Sequence, residues 1–345
     1  MDLILIGVII LALVGAKINF AGEGYLDTYL DREQTMAVNG VFVMLVFLRH
    51  FKEYIMCGAC DRVFWTVDGY LEQLIVTTFL FYSGYGILVS LKTKEGYLQK
   101  FPKRILKIWL QFVIVVCLFL LLNLFVGKEY SISTILLSFA AWESVGNSNW
   151  YILAILVLYI LSYFGGMLTK KNGLKTAIFV TAGCCCYVVV LILCGKGSWY
   201  YNTIFCYPLG MLYAEYERKI RKLLARTGTF LLLTGGCAAA FIITYICAFK
   251  WHGVIWLAAV ELRGIFFVLI VVLATSRIKI GNPVLNWLGK HTFEIYVLQR
   301  LPMIAFSGIN MNQYVYFGIC AAITGLAAVL FQRTAEKIKV SHRVL

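Results

Sequence analysis

Asn39-Gly-Val-Phe-Val-Met-Leu-Val-Phe-Leu-Arg-His50 is an apolar run that closes on two basic side chains. Lipid holds ionisable groups only at a cost, so an imidazole at the mouth of a membrane helix is a functional candidate. The alternative is a histidine that anchors the helix at the interface.

The rest of the chain repeats this apolar character. Hydrophobic residues make up 61% and charged ones 14%, with a mean hydropathy of +0.83, more apolar surface than a water-soluble fold can hide. The expected class is all-α, a polytopic membrane bundle. A membrane helix needs about 20 apolar residues, and such runs fall near 3–20, 37–51, 71–91, 105–127, 150–168, 176–194, 199–214, 229–249, 254–275, 291–310 and 313–332, about eleven spans. The first opens with Met1-Asp2 and lacks a clear small-residue cleavage site, so it reads as a span rather than a leader.

Lysine and arginine collect in alternate connections, at 92–107, 170–175, 218–226, 277–290 and 333–343. The positive-inside rule makes that side cytoplasmic and puts the N-terminus and the His50 end outside. The net charge of +14 is spread over these short loops, so topology and anionic lipid account for it and no nucleic-acid partner is expected. The loop at 92–107, with Lys103, Arg104 and Lys107, is dense enough to receive an anionic ligand. Most of the eleven cysteines sit singly in apolar runs as small hydrophobes. Cys57-Gly-Ala-Cys60 has metal or redox spacing but no second pair or neighbouring histidine, so no metal is expected.

Several stretches in order resemble the membrane acyltransferase-3 family. Residues 39–50 resemble its opening motif, a basic residue, ten intervening residues and a histidine. Phe81-Tyr82-Ser83-Gly84-Tyr85-Gly86, Lys103-Arg104-Ile105-Leu106-Lys107-Ile108, Asn149-Trp150-Tyr151-Ile152-Leu153 and Leu288 through Tyr296 resemble the motifs that follow. The resemblance implies an extra N-terminal transmembrane helix and linker over 1–35, an acyltransferase-like domain over 36–333 and a basic cytoplasmic tail over 334–345. It is similar to a variant found among transferases that O-acetylate bacterial capsule or exopolysaccharide.

That resemblance implies a cell-membrane enzyme taking an acyl group, most often acetyl, from cytoplasmic acyl-CoA (acetyl-CoA) to an extracytoplasmic sugar hydroxyl. Its partners would be membrane lipid, acyl-CoA and a surface polysaccharide or glycolipid acceptor; a homo-oligomer stays open. Eleven residues make almost three helical turns, so Asn39 and His50 share a face about 16 Å apart along the axis. A neutral imidazole at position 50 can take the proton from an attacking hydroxyl.

Two departures stand out. Asn39 replaces the family's usual Arg or Lys; its amide can bond a carbonyl or pantetheine amide but cannot neutralise phosphate. Arg32, seven residues earlier on nearly the same face, can hold a phosphate instead. Gln299 stands where many relatives carry histidine, and its amide can orient a substrate or donate to an oxyanion. The candidate catalytic residues are therefore His50, Asn39 and Gln299, with Arg32, Ser83, Tyr85, Lys103, Arg104 and Lys107 for the acyl donor.

For the acceptor the candidates are Asn149, Trp150, Trp199, Asn202, Glu261, Arg263 and Arg300: polar amides and rings at outer ends of spans, or charges inside or beside them. Glu261 and Arg263, at i and i+2, point to different sides and must each find another partner or line a wet cavity. His252, His291 and His342 read as surface or interface residues. A transporter or flippase of a glycan or lipid-linked precursor would share the basic loops and intramembrane charges, but no internal repeat is detected.

Overall fold

Apolar periodicity without long polar insertions leaves the chain one option in lipid, helices that satisfy their own backbone. The structure, a computed structural model, describes residues 1–19 and 25–337. In chain order it runs through α1 (Asp2–Leu13), α2 (Arg32–Phe51), α3 (Arg62–Leu71), α4 (Thr77–Thr93) and α5 (Tyr97–Val126). There follow α6 (Ile132–Ser138), α7 (Trp150–Leu168), α8 (Gly173–Leu193), α9 (Cys206–Ala225), α10 (Thr227–Lys250) and α11 (Gly253–Thr275). The last are α12 (Pro283–Lys290), α13 (Thr292–Leu298), α14 (Arg300–Phe306) and α15 (Gln313–Lys337). The only sheet among the described residues is two residues deep, β1 (Lys17–Ile18) antiparallel to β2 (Ile278–Lys279).

Eight helical stretches among the described residues are long and apolar enough to cross a membrane, which makes the chain a polytopic helical membrane protein. They coincide with eight of the eleven expected spans. The other three differ for identifiable reasons. The run at 3–20 holds only the 12-residue α1, because Gly15 adopts a left-handed φ of 77° and turns the chain into β1. The run at 199–214 begins as a 3₁₀ turn, and α9 starts at Cys206 and continues into the charged segment up to Ala225. The run at 291–310 is broken into α13 and α14 at Gln299. Pro302 has no N–H to give the Leu298 carbonyl, so the ladder is interrupted there. The tail from 338, with His342, lies outside the described residues.

Helices pack most tightly where a glycine lets backbones touch. A Cβ on Gly40 would sit 2.2 Å from the Leu285 carbonyl oxygen, and one on Gly289 1.8 Å from that of Met36, so α2 and α12 clasp each other reciprocally. Gly84 of α4 and Gly210 of α9 form a second such clasp, each facing a carbonyl oxygen, of Tyr207 and Phe81, at 2.0 Å. Small residues that admit close backbone approach serve this purpose in membranes, where the hydrophobic effect does not drive helices together. Around these seams Phe81, Phe101, Phe112, Phe119 and Tyr207 are buried, while Leu124, Phe125, Leu232 and Phe249 face outward.

Candidate active site

α2 carries Arg32 in its first turn, Asn39 two turns on and His50 in its last turn, so one helix threads the whole site. The α2–α12 clasp brings α13 against it and places Gln299 beside His50. The Gln299 Nε2 lies 2.8 Å from His50 Nδ1 and donates to the Tyr296 carbonyl at 3.2 Å. Gln299 is fully buried, and its Oε1 has no hydrogen-bond partner. On the other side of the ring, Ser148 Oγ is 3.5 Å from His50 Nε2.

This placement fixes the imidazole's hydrogen. With an amide N–H aimed at Nδ1, that nitrogen is the acceptor and a neutral ring carries its proton on Nε2, toward Ser148. A half-turn of the amide would instead set Oε1 against an Nδ1–H and free the Nε2 lone pair. The orientation seen leaves one buried oxygen without a partner, at a cost of about 1–3 kcal/mol, whereas the half-turn gives up the bond to Tyr296 and sets Oε1 against that carbonyl oxygen, so the orientation seen is the resting one.

A cavity of about 720 Å³ opens below His50. Its wide end is lined by Arg32, Arg104, Lys107 and Lys290, its walls by Asn39, Ser83, Gln111 and Glu294. On α7 the lining residues climb from Tyr159 through Ile155 to Tyr151, and on α13 from Thr292 to Tyr296, so Tyr151 and Tyr296 form the inner end. These rings stand edge to face, centroids 5.4 Å apart, and the Tyr296 ring is 6.1 Å from the His50 imidazole. Arg104 is held in place by the Tyr97 hydroxyl at 2.7 Å and the Tyr159 hydroxyl at 3.1 Å. The Asn39 Oδ1 is buried and makes no hydrogen bond.

A second, smaller cleft of about 290 Å³ lies at the opposite end of the bundle, lined by Arg49, Glu72, Trp199, Asn202, Tyr245, Trp256 and Arg263 among others. Arg263 pairs with Glu72 at 2.9 Å and stacks over the Tyr245 ring. Glu72 sits where α3 ends, with a left-handed φ of 41° that an L side chain rarely adopts; such strain collects at functional positions. Asn202 Oδ1 is buried without a partner.

Of the expected donor residues, the cavity gathers Arg32, Ser83, Arg104 and Lys107 together with Asn39; Tyr85 and Lys103 do not line it, and Tyr85 turns toward Glu217 and Arg221 of α9. Of the expected acceptor residues, the small cleft gathers Trp199, Asn202 and Arg263. The other four lie elsewhere. Asn149 spends its amide on the Ala141 carbonyl and the Tyr200 hydroxyl, both at 2.9 Å, bracing the loop before α7. Trp150 packs edge-on against Tyr151, and Arg300 is engaged by Glu53 at 2.6 Å and the Tyr54 hydroxyl at 3.1 Å.

Glu261 neither meets a cation among the described residues nor lines the cleft. Both its carboxyl oxygens are buried next to the Cys184 and Cys206 thiols, with the Phe205 backbone N–H approaching short of full hydrogen-bond geometry. Sequence reasoning missed Tyr151, Tyr296 and Lys290, and read Ser148 only as one of the polar residues at the outer end of a span. The first three were in the quoted motifs, where a tyrosine looks like packing and a terminal lysine like topology.

No curated protein and no solved structure matches the chain. A family model described as an acyltransferase domain matches residues 36–332, a stretch that holds His50, Gln299, the lining of the small cleft and that of the large cavity apart from Arg32 and Thr35. The protein belongs to the acyltransferase-3 family and is a membrane acyltransferase.

Proposed function

We propose that this acyltransferase takes an acetyl group from acetyl-CoA on the basic side of the membrane and delivers it to a hydroxyl of an extracytoplasmic polysaccharide or its lipid-linked precursor. The observation that carries this reading is that the two cavities meet the same helix end from opposite sides. Tyr296, in ring contact with His50, lines the large one, and Arg49, next to His50 in sequence, lines the small one.

The large cavity has the chemistry of an acyl-CoA site. Four cationic side chains at its wide end against the single carboxylate of Glu294 suit a polyphosphate. Further in, the unpartnered Asn39 Oδ1 can accept from a pantetheine amide N–H. Arg32, on nearly the same face of α2, supplies the charge that Asn39 lacks. The small cleft has the chemistry of a sugar site, with indole faces, an unpartnered amide oxygen and two guanidinium groups. His50 serves as the base that relieves the attacking hydroxyl of its proton as an oxygen bonds the thioester carbon. The departing thiolate then takes that proton.

The test is transfer of labelled acetyl from acetyl-CoA to surface polysaccharide in membranes carrying wild type or His50→Ala at matched expression. O-acetyl ester formed by wild type and lost in the variant is the expected result. Equal labelling in both would remove His50 from the chemistry, and no labelling in either would overturn the donor and acceptor assigned here.

A further inference from the structure

Ser148 lies between the two cavities and no motif accounts for it. It is 5% exposed, it precedes Asn149, the N-cap of α7, and its Oγ approaches His50 Nε2 to 3.5 Å, within the looser range typical of nucleophile and base before substrate arrives. His50 in turn touches Gln299 through its other nitrogen at 2.8 Å. Hydroxyl, imidazole and amide thus stand in the order of a nucleophile, its base and the group that orients the base. An amide serves as that third member through its oxygen, the atom of Gln299 that now has no partner.

A place for the developing negative charge is present as well. α7 begins without a side-chain cap, so its first backbone N–H groups lack helical partners and point back toward Ser148. The Tyr296 hydroxyl lies against the Tyr151 amide and the Ser148 hydroxyl, short of full hydrogen-bond geometry with either. An acyl oxygen displacing it would meet the same N–H.

We propose that Ser148 is a nucleophile that carries the acyl group covalently between donor and acceptor; this rests on the acyltransferase reading above. In the first half, Ser148 Oγ gives its proton to His50 Nε2 and bonds the thioester carbon. The C–S bond breaks, and the proton passes to the departing thiolate. In the second half, the acceptor hydroxyl gives its proton to Nε2 and its oxygen bonds the acyl carbon. The bond to Oγ breaks, and His50 returns the proton to Oγ. Thioester and alcohol become ester and thiol with no change of oxidation state. The half-turned amide of Gln299, with Oε1 on Nδ1–H, is the form in which both halves run. Donor and acceptor need never be bound at once, in keeping with cavities that Tyr151 and Tyr296 keep apart.

The experiment uses the full chain in membranes, [¹⁴C]acetyl-CoA without acceptor, acid quenching and peptide mass spectrometry. Wild type should release CoA and hold label on the peptide containing Ser148. Ser148→Ala should hold none and lose at least about a hundredfold in transfer to polysaccharide, the lower bound for losing a catalytic proton-transfer partner. Ser148→Cys guards against a misfolded alanine variant: its label should become a thioester cleaved by neutral hydroxylamine, whereas the wild-type ester survives it. Label on His50, or none in quenched wild type, overturns the relay. Transfer by Ser148→Ala at the wild-type rate overturns it while leaving the acyltransferase reading intact. Wild type that neither releases CoA nor labels polysaccharide brings down both.

Discussion

Gln299 and His50, 249 residues apart in the chain, meet at 2.8 Å through one amide nitrogen and one ring nitrogen. The contact exists because Pro302 interrupts the helix ladder just beyond Gln299 and because α12 leads α13 onto α2. It makes Gln299 a positioning residue, one that decides which imidazole nitrogen is free.

Gln299→Leu should therefore lower kcat by about a hundredfold, the lower range for a general base left in the wrong protonation geometry, with little change in KM for acetyl-CoA. Gln299→Glu should recover most of that loss, since a carboxylate oxygen accepts from Nδ1–H in the same place. Steady-state kinetics of labelled acetyl transfer check both. Equal losses in the two variants would mean the site only needs to be filled.

Arg32 sits at the wide end of the large cavity, far from the reacting atoms. Arg32→Gln should raise KM for acetyl-CoA about tenfold and leave kcat nearly unchanged, because one charge-assisted bond contributes about 1.5–3 kcal/mol. The same change in kcat as in KM would place Arg32 in the chemistry instead.

The small cleft should answer to acceptor alone. Trp199→Ala should raise KM for an oligosaccharide acceptor about tenfold, within the 0.5–1.5 kcal/mol of a ring contact plus the area it covers, and leave donor binding untouched. Competition binding of acetyl-CoA to the purified variant separates the two.

The glycine clasps predict stability rather than activity. Gly84→Val would press a side chain into the Tyr207 carbonyl, and overpacking of this kind costs about 1–3 kcal/mol or more. The variant should melt several degrees lower in detergent, or fail to accumulate. Gly86→Val, where nothing lies within 4 Å of the added carbon, should be far better tolerated.

Much of this was legible because the physics is local. An apolar run of helix length announces a span, and a spacing of eleven residues puts Asn39 and His50 on one face whatever surrounds them. The pairing of His50 with Gln299 was readable only as a resemblance, since nothing local joins residues so far apart. Tyr151 and Tyr296 escaped notice because an aromatic ring in an apolar helix looks the same whether it packs or closes a cavity. Asn149 misled for the reverse reason: an amide at a helix start suits a sugar, yet here the loop consumes it. Glu261 was expected to find a partner on another helix or line a wet cavity; among the described residues it meets no cation and lines neither cavity, and only the Phe205 backbone N–H at the start of α9 approaches it.

In the proposed arrangement one recess opens to each face of the membrane, which makes the enzyme nearly a pore, and a pore would short-circuit the ion gradients of the cell that made it. Tyr151 and Tyr296, packed edge to face at the inner end of the large cavity, stand between it and His50. Those two side chains thus do an insulator's work. Replacing both with alanine should make vesicles containing the protein leak protons, even if acyl transfer continues.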